Sequence, residues 1–233
     1  MIRYLLWDID GTLLDFKAAE NYGIRKCFAL MQMGLCSDEM LARYSAINHA
    51  YWQKLERGEM TKPEILIGRF ETFFKEEGLP VENAPRFNEL YQYHLGDAAF
   101  FMPGGEETVR YFKGRMPQYA ATNGTALAQE RKLAKSGLDQ LLDGIFISEE
   151  IGFEKPDPRF FEVFFEKTGT KPEEGIIIGD SLSSDMLGGT NAGLLRCYYA
   201  PGDTPLPPEG TVDYVIRHLG EVPALVEKIN GRC

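Results

Sequence analysis

The sequence predicts an α/β protein: a doubly wound, Rossmann-like parallel sheet with a block of helices inserted after its first strand. Three observations carry this. From Pro103 onward, short apolar runs alternate with helix-forming stretches, the pattern of strands and crossover helices. Those runs are apolar almost throughout rather than at every second residue, as expected of strands covered on both faces. From about Asp15 to about Asp97, helical patterns dominate.

Taken in order, Tyr4 to Ile9 reads as a short buried strand ending at Gly11-Thr12. Leu30, Met31 and Met33 run up to Gly34 in one helix, and Met40, Leu41, Tyr44, Ile47, Tyr51 and Trp52 follow Ser37 in another. The next helix has the clearest ends. Thr61-Lys62-Pro63-Glu64 is a capping box with proline in the first turn, Ile65, Leu66, Phe70, Phe73 and Phe74 share a face, and Gly78 is a stop signal. Such Met and aromatic stripes read as core rather than as a cofactor site. Further strands are expected at 119–122, 144–148, 176–179 and 195–199, with helices at 109–112, 127–136 and 160–167, the last opened by Asp157-Pro158 as N-cap and first-turn pair. A Pro- and Gly-rich loop (203–210) precedes a strand at 213–216 and a C-terminal helix. The expected division is a catalytic core of residues 1–14 and 98–233 around a helical cap of residues 15–97.

With 233 residues, 44% of them hydrophobic and 26% charged, the chain can bury a sizeable core without disulfides or structural metal. A net charge of −10 is a poor match to a nucleic acid polymer or an anionic membrane. It allows a small anionic substrate wherever a bound cation and a lysine reverse the field locally. Cys27, Cys36, Cys197 and Cys233 show neither a C-x-x-C pair nor zinc-like spacing, so free thiols in a reducing compartment are expected. No segment approaches the ~20 apolar residues of a membrane span, and the apolar start is too short for a signal peptide. A cytoplasmic monomer or homodimer is expected.

The polar groups with chemical promise stand at strand ends, where ligands bind in open parallel sheets. Asp8 and Asp10 lie at i and i+2 and point to the same side of an extended chain. Two such carboxylates at the edge of a buried sheet call for a shared cation or proton, although Asp-Gly is also an ordinary turn. Thr122, Asn123 and Gly124 end the second strand with a hydroxyl and amide donors suited to phosphoryl oxygens, or simply cap a helix. Lys155, ahead of a helix, reads either as a phosphate contact or as a solvated loop lysine. Asp180 and Asp185, five residues apart in a Gly-rich segment, suit a hard, oxygen-loving cation such as Mg²⁺.

In combination, Asp8-x-Asp10-Gly11-Thr12, Thr122, Lys155 and Gly179-Asp180…Asp185 resemble the four motifs of the haloacid dehalogenase-like superfamily, and the helical block stands where that superfamily places its first type of cap. Thr122-Asn123-Gly124, Ile147 to Gly152 and Gly188 to Gly193 look like its pyrimidine 5′-nucleotidase branch; Trp7 replaces a commoner phenylalanine.

The resemblance implies a Mg²⁺-dependent phosphatase acting on a small phosphorylated metabolite, a nucleoside 5′-monophosphate first. Asp8 would be the nucleophile and Asp10 the general acid and base. Asp8, the main-chain carbonyl of Asp10, Asp180 and Asp185 would serve the metal, while Thr122, the amide of Asn123 and Lys155 would hold the phosphate. A sugar or sugar-acid phosphate phosphatase, a phosphomutase and a metal-independent 2-haloacid dehalogenase are the neighbouring readings. Asp10 argues against the last, and the complete motif set argues against a non-catalytic binding protein. Phe16, Asn21, Tyr22 and Arg25 are candidate substrate contacts, and His49, His94 and His218 fall outside the motifs.

Overall fold

Six short strands make one sheet: β1 (Tyr4–Trp7), β2 (Gln118–Thr122), β3 (Gly144–Ile147), β4 (Gly175–Gly179), β5 (Leu195–Tyr199) and β6 (Tyr214–Ile216). In this computed structural model, which describes residues 1–231, they pair in parallel throughout, in the order β3-β2-β1-β4-β5-β6. Leu6 sits opposite Tyr119 on one side and Ile177 on the other. Alternate residues feed two different cores. Leu5, Trp7, Ile176, Ile178 and Cys197 join Val109, Leu133 and Val222 on one face. Tyr4, Leu6, Ile177 and Tyr198 meet Phe146, Phe160 and Phe164 on the other. Burial on both faces, at roughly 1.5–3 kcal/mol for each large apolar side chain, is what makes the strands read as continuous apolar runs. Trp7 is fully buried, and its Nε1–H donates to Gln118 Oε1 at 3.1 Å, so the indole's polar edge is satisfied inside the core.

The helices are α1 (Phe16–Leu30), α2 (Asp38–Glu56), α3 (Lys62–Glu77), α4 (Ala84–Leu95), α5 (Gly105–Phe112), α6 (Ala126–Ser136), the one-turn α7 (Leu138–Leu141) and α8 (Ser148–Ile151), α9 (Pro158–Thr168), α10 (Leu187–Ala192) and α11 (Val222–Asn230). The first four pack on one another around their own aromatic cluster of Phe28, Tyr44, Phe70, Phe73, Phe74, Phe87 and Tyr91. The Tyr44 ring stacks on Phe70 at 5.1 Å, and its neighbours meet edge-on. The ends of α3 are those expected. Glu64 accepts from Thr61 N at 2.8 Å, and Gly78 is left-handed at φ +66°.

Several boundaries differ from expectation, α5 beginning at Gly105 rather than Val109 among them, and three of the differences have a visible cause or consequence. β1 stops at Trp7 rather than Ile9, because Thr12 and Leu14 N–H both return to Ile9 O and curl the chain into a tight loop. α1 stops at Leu30, where Gln32 takes a left-handed φ of +54° and Met33 N–H bonds back to Phe28 O at 3.0 Å. Ser148 opens α8 instead of ending β3. Cys27, Cys36 and Cys197 are free and buried, as expected; Cys233, with Arg232 at the end of the expected core, lies outside the described residues. Among the described residues no helix is long and apolar enough to cross a membrane.

Candidate active site

β1 and β4 are neighbours whose connections leave toward opposite edges of the sheet, the switch point at which an open α/β sheet offers a crevice. Asp8 leaves β1 there and Asp180 leaves β4. The two chains approach so closely that a Cβ at residue 11 would run into the Asp180 carboxylate, and Gly11 also takes a φ of +94°. Thr12 Oγ1 donates to Asp180 Oδ1 at 3.1 Å, tying the first loop to the fourth strand's end.

Lys155 is 1% exposed and reaches the middle of this crevice. Its ammonium donates to Asp8 Oδ1 at 2.9 Å, to Asp185 Oδ1 at 2.6 Å and to Ala121 O, using all three protons. The loop that carries it is clamped by Asn123, whose Nδ2 donates to Lys155 O and whose Oδ1 accepts from Lys155 N, both at 2.8 Å. Asp185 sits on a single π-turn (Leu182–Met186), and its second oxygen accepts from Ser181 N at 3.1 Å. Thr122 Oγ1, at the end of β2, accepts from Gly124 N at 3.1 Å. Asp10 is held from α6, where Lys132 pairs with one oxygen and Gln129 Nε2 donates to the other at 2.6 Å.

Electrostatics at the crevice are unbalanced. Asp8, Asp180 and Asp185 each place an oxygen within 4.8 Å of the others. Burial, and then the Asp185 carboxylate, hold Asp8 well above the usual carboxylate range, with Lys155 opposing. The same two causes push Asp180 up to about 7. Burial disfavours the Lys155 charge, but Asp185 and Asp8 together outweigh it and hold the ammonium protonated. Three crowded carboxylates with one ammonium leave unbalanced negative charge among hard oxygen donors, the donor chemistry of a divalent magnesium-like cation.

All seven sequence-predicted residues (Asp8, Asp10, Thr122, Asn123, Lys155, Asp180 and Asp185) line one cavity of about 480 Å³. Its opposite wall comes from α1 and α2: Phe16, Glu20, Asn48, His49, Trp52, Gln53 and Glu56. Of the four residues expected there from α1, only Phe16 is present. Phe16 and Glu20, one turn apart, share the cavity face, whereas Tyr22 is 41% exposed and Arg25 pairs with Asp38 on the outer face. Asn21 does not line the cavity either. His49, which no motif marked, does.

Behind this wall runs a chain of polar contacts. Asn48 Nδ2 donates to Glu20 Oε1 at 3.1 Å; Asn48 Oδ1 accepts from Trp52 Nε1 at 3.1 Å and from Arg69 at 2.7 Å. Arg69 and Gln92 both donate to Asn88, and Gln92 accepts from Thr125, three residues past Thr122. Two further contacts join helices to sheet loops: Ser183 Oγ donates to Glu56 at 2.6 Å, and Lys62 donates to Ser148 Oγ at 2.6 Å beside Glu154. Burial raises Glu56 above the ordinary carboxylate range. Sequence reasoning missed Lys132, Gln129 and, Phe16 apart, this wall.

Residues 2–193 match the haloacid dehalogenase-like hydrolase family, and the chain belongs to that family. It is 36% identical over 221 residues to the HAD-hydrolase YfnB of Bacillus subtilis, covering 94% of this chain and 93% of the relative. A pyrimidine 5′-nucleotidase, PynA of Streptococcus pneumoniae, is 33% identical over 202 residues, covering 85% of this chain and 84% of the relative. The crystal structure of B. subtilis YfnB bound to magnesium superposes with a TM-score of 0.90 at 34% identity, covering 97% of this chain and 98% of that one.

Proposed function

We propose that this chain is a phosphomonoesterase that transfers the phosphoryl group of a small metabolite to Asp8 and then to water, with residues 15–97 acting as a cap over the site. The observation that carries the reading is the crevice itself: Lys155 bridges Asp8 and Asp185 while Asp180 completes a three-carboxylate group. A carboxylate at Asp8 attacks phosphorus in line as the ester oxygen departs. Asp10, oriented by Lys132 and Gln129, gives that oxygen a proton and later takes one from the water that cleaves the acyl phosphate. Thr122, the main-chain N–H of Asn123 and the Lys155 ammonium bind the phosphoryl oxygens, where charge spreads in the transition state. Asp8, Asp180, Asp185 and the main-chain carbonyl of Asp10 would hold Mg²⁺, which when bound neutralises the repulsion between the attacking carboxylate and the phosphate.

Within this reaction class a nucleoside 5′-monophosphate is the favoured substrate, pyrimidine ones first. Support comes from the likeness to the pneumococcal nucleotidase and from the Thr122-Asn123-Gly124 and Ile147 to Gly152 segments. Phosphate release measured with Mg²⁺ over uridine and thymidine monophosphates and several sugar phosphates tests it. Nucleotides are expected to show the higher kcat/KM. A sugar phosphate ahead by more than about tenfold, about 1.4 kcal/mol of transition-state preference, would remove the nucleotidase reading and leave the phosphatase one standing.

A further inference from the structure

We propose that the cavity selects phosphomonoesters whose leaving alcohol carries no second anionic group, and that Glu56 on α2 is the residue that turns such groups away. The inference rests on the phosphatase reading of the same site and narrows its substrate class. At the phosphate end, Lys155 is the lysine or arginine that lines the cavity. Beyond it, the wall offers the Glu20 and Glu56 carboxylates, the amides of Asn48 and Gln53, the His49 imidazole and two aromatic faces, Phe16 and Trp52.

The cations bonded to residues of this wall, or to Asp10, are already engaged. Lys17 pairs with Glu20 at 3.1 Å, Arg69 donates to Asn48 at 2.7 Å and on to Asn88, and Lys132 holds Asp10. None is free to receive a second phosphate or a carboxylate. Glu56 is half-buried, its hydrogen-bond partner is the neutral Ser183 hydroxyl, and among the described residues no lysine or arginine forms an ion pair with it. An anion on the substrate's body would therefore lie beside a carboxylate without an ion-pair partner in a partly desolvated cavity, where like charges repel strongly. An uncharged body bearing hydroxyls, amides or a flat ring meets donors, acceptors and aromatic faces instead. Sugar-acid phosphates and the bisphosphates on which mutases work are the classes this wall disfavours.

The test uses two pairs of substrates, each differing by one carboxylate: uridine against orotidine 5′-monophosphate, and glycerol 3-phosphate against 3-phosphoglycerate. At about pH 8, where imidazoles are neutral, kcat/KM is expected to favour the uncharged member of each pair by at least about tenfold. Raising the salt from about 0.05 M to about 0.5 M should narrow that ratio, which a purely steric wall would not do. Glu56→Gln should narrow it by about threefold or more. A wild-type preference below about tenfold in either pair, or a ratio that neither salt nor Glu56→Gln moves, overturns the inference. Should Glu56→Gln fail to fold, the salt dependence of the wild-type ratio decides. No phosphate release from any of the four substrates or from p-nitrophenyl phosphate overturns the phosphatase reading itself, and the selection falls with it.

Discussion

On the sheet side of the cavity, Asp8, Asp180, Asp185 and Lys155 stand just past a strand end or on a loop braced by one, and answer to groups placed in the same way: Asp8 to Lys155, Lys155 to Asp185, Asp180 to Thr12. On the helical side, Asn48 and Arg69 link one helix to the next. Asn48 joins Glu20 to Arg69, and Arg69 hands on to Asn88. The first wall concentrates net charge, the second mostly neutral hydrogen bonding around two carboxylates. On the proposed function, this difference gives them different work. A crowd of carboxylates around one ammonium suits a phosphoryl group and a divalent cation, whatever the rest of the substrate is. A wall of amides, aromatic faces and Glu56 would, on the proposed function, discriminate among the bodies that the phosphate carries.

If the walls divide the labour in this way, damage to the sheet side should stop turnover of every substrate. Lys155→Met leaves Asp8 and Asp185 buried without their cation. Turnover is expected to fall by at least about 10²–10³-fold on large and small phosphomonoesters alike. Chemical denaturation of the metal-free protein should show a loss of about 3–5 kcal/mol. Thorough chelation is the next largest effect. It should abolish phosphate release, Mg²⁺ should restore it, and Ca²⁺, with its larger and looser oxygen shell, should not. Undiminished release without metal would assign the carboxylate crowd another role.

Damage to the helical wall should instead be selective. Arg69→Met removes the centre of the buried polar chain and should cost about 1–3 kcal/mol of stability. The KM for nucleotides should rise, while turnover of p-nitrophenyl phosphate stays within about threefold. Equal losses on both would erase the distinction between the walls. The smallest effect is a pH dependence confined to the sheet side. Asp8 and Asp180 are raised in the folded protein, so between the unfolded carboxylate value and about 7 the native state binds more protons than the unfolded one. Stability of the metal-free protein should therefore fall as pH rises through that window, read as a lower Tm at pH ~8 than at pH ~5.5. Saturating Mg²⁺ should flatten the trend, since a cation replaces the protons.

The same contrast governs what was legible in the sequence. Strands, crossover helices and the carboxylate, threonine and lysine positions could be read because each signal is local: an apolar run, then a polar residue at its end. α3 was legible for the same reason, with both of its caps within a residue of its ends. Lys132 and Gln129 could not be read, since α6 looks like any amphipathic helix until the turn after β1 aims Asp10 at it. The helical wall was hidden further still. Glu20 and Asn48 are 28 residues apart, and nothing in either stretch of chain shows that they meet. On α1, the helical period alone would have kept Phe16 and Glu20 and discarded Asn21, Tyr22 and Arg25, had the cavity-facing side been known.

Asp8 is the proposed acceptor of the phosphoryl group, and phosphate release by a folded Asp8→Asn protein tests this most directly. The amide nearly preserves the shape of the carboxylate but cannot attack phosphorus. With Mg²⁺ present and a circular dichroism spectrum matching the wild type, release below about 10⁻³ of the wild-type rate is expected. Release at more than a few per cent of that rate, from protein shown to be folded, would contradict a covalent route through Asp8.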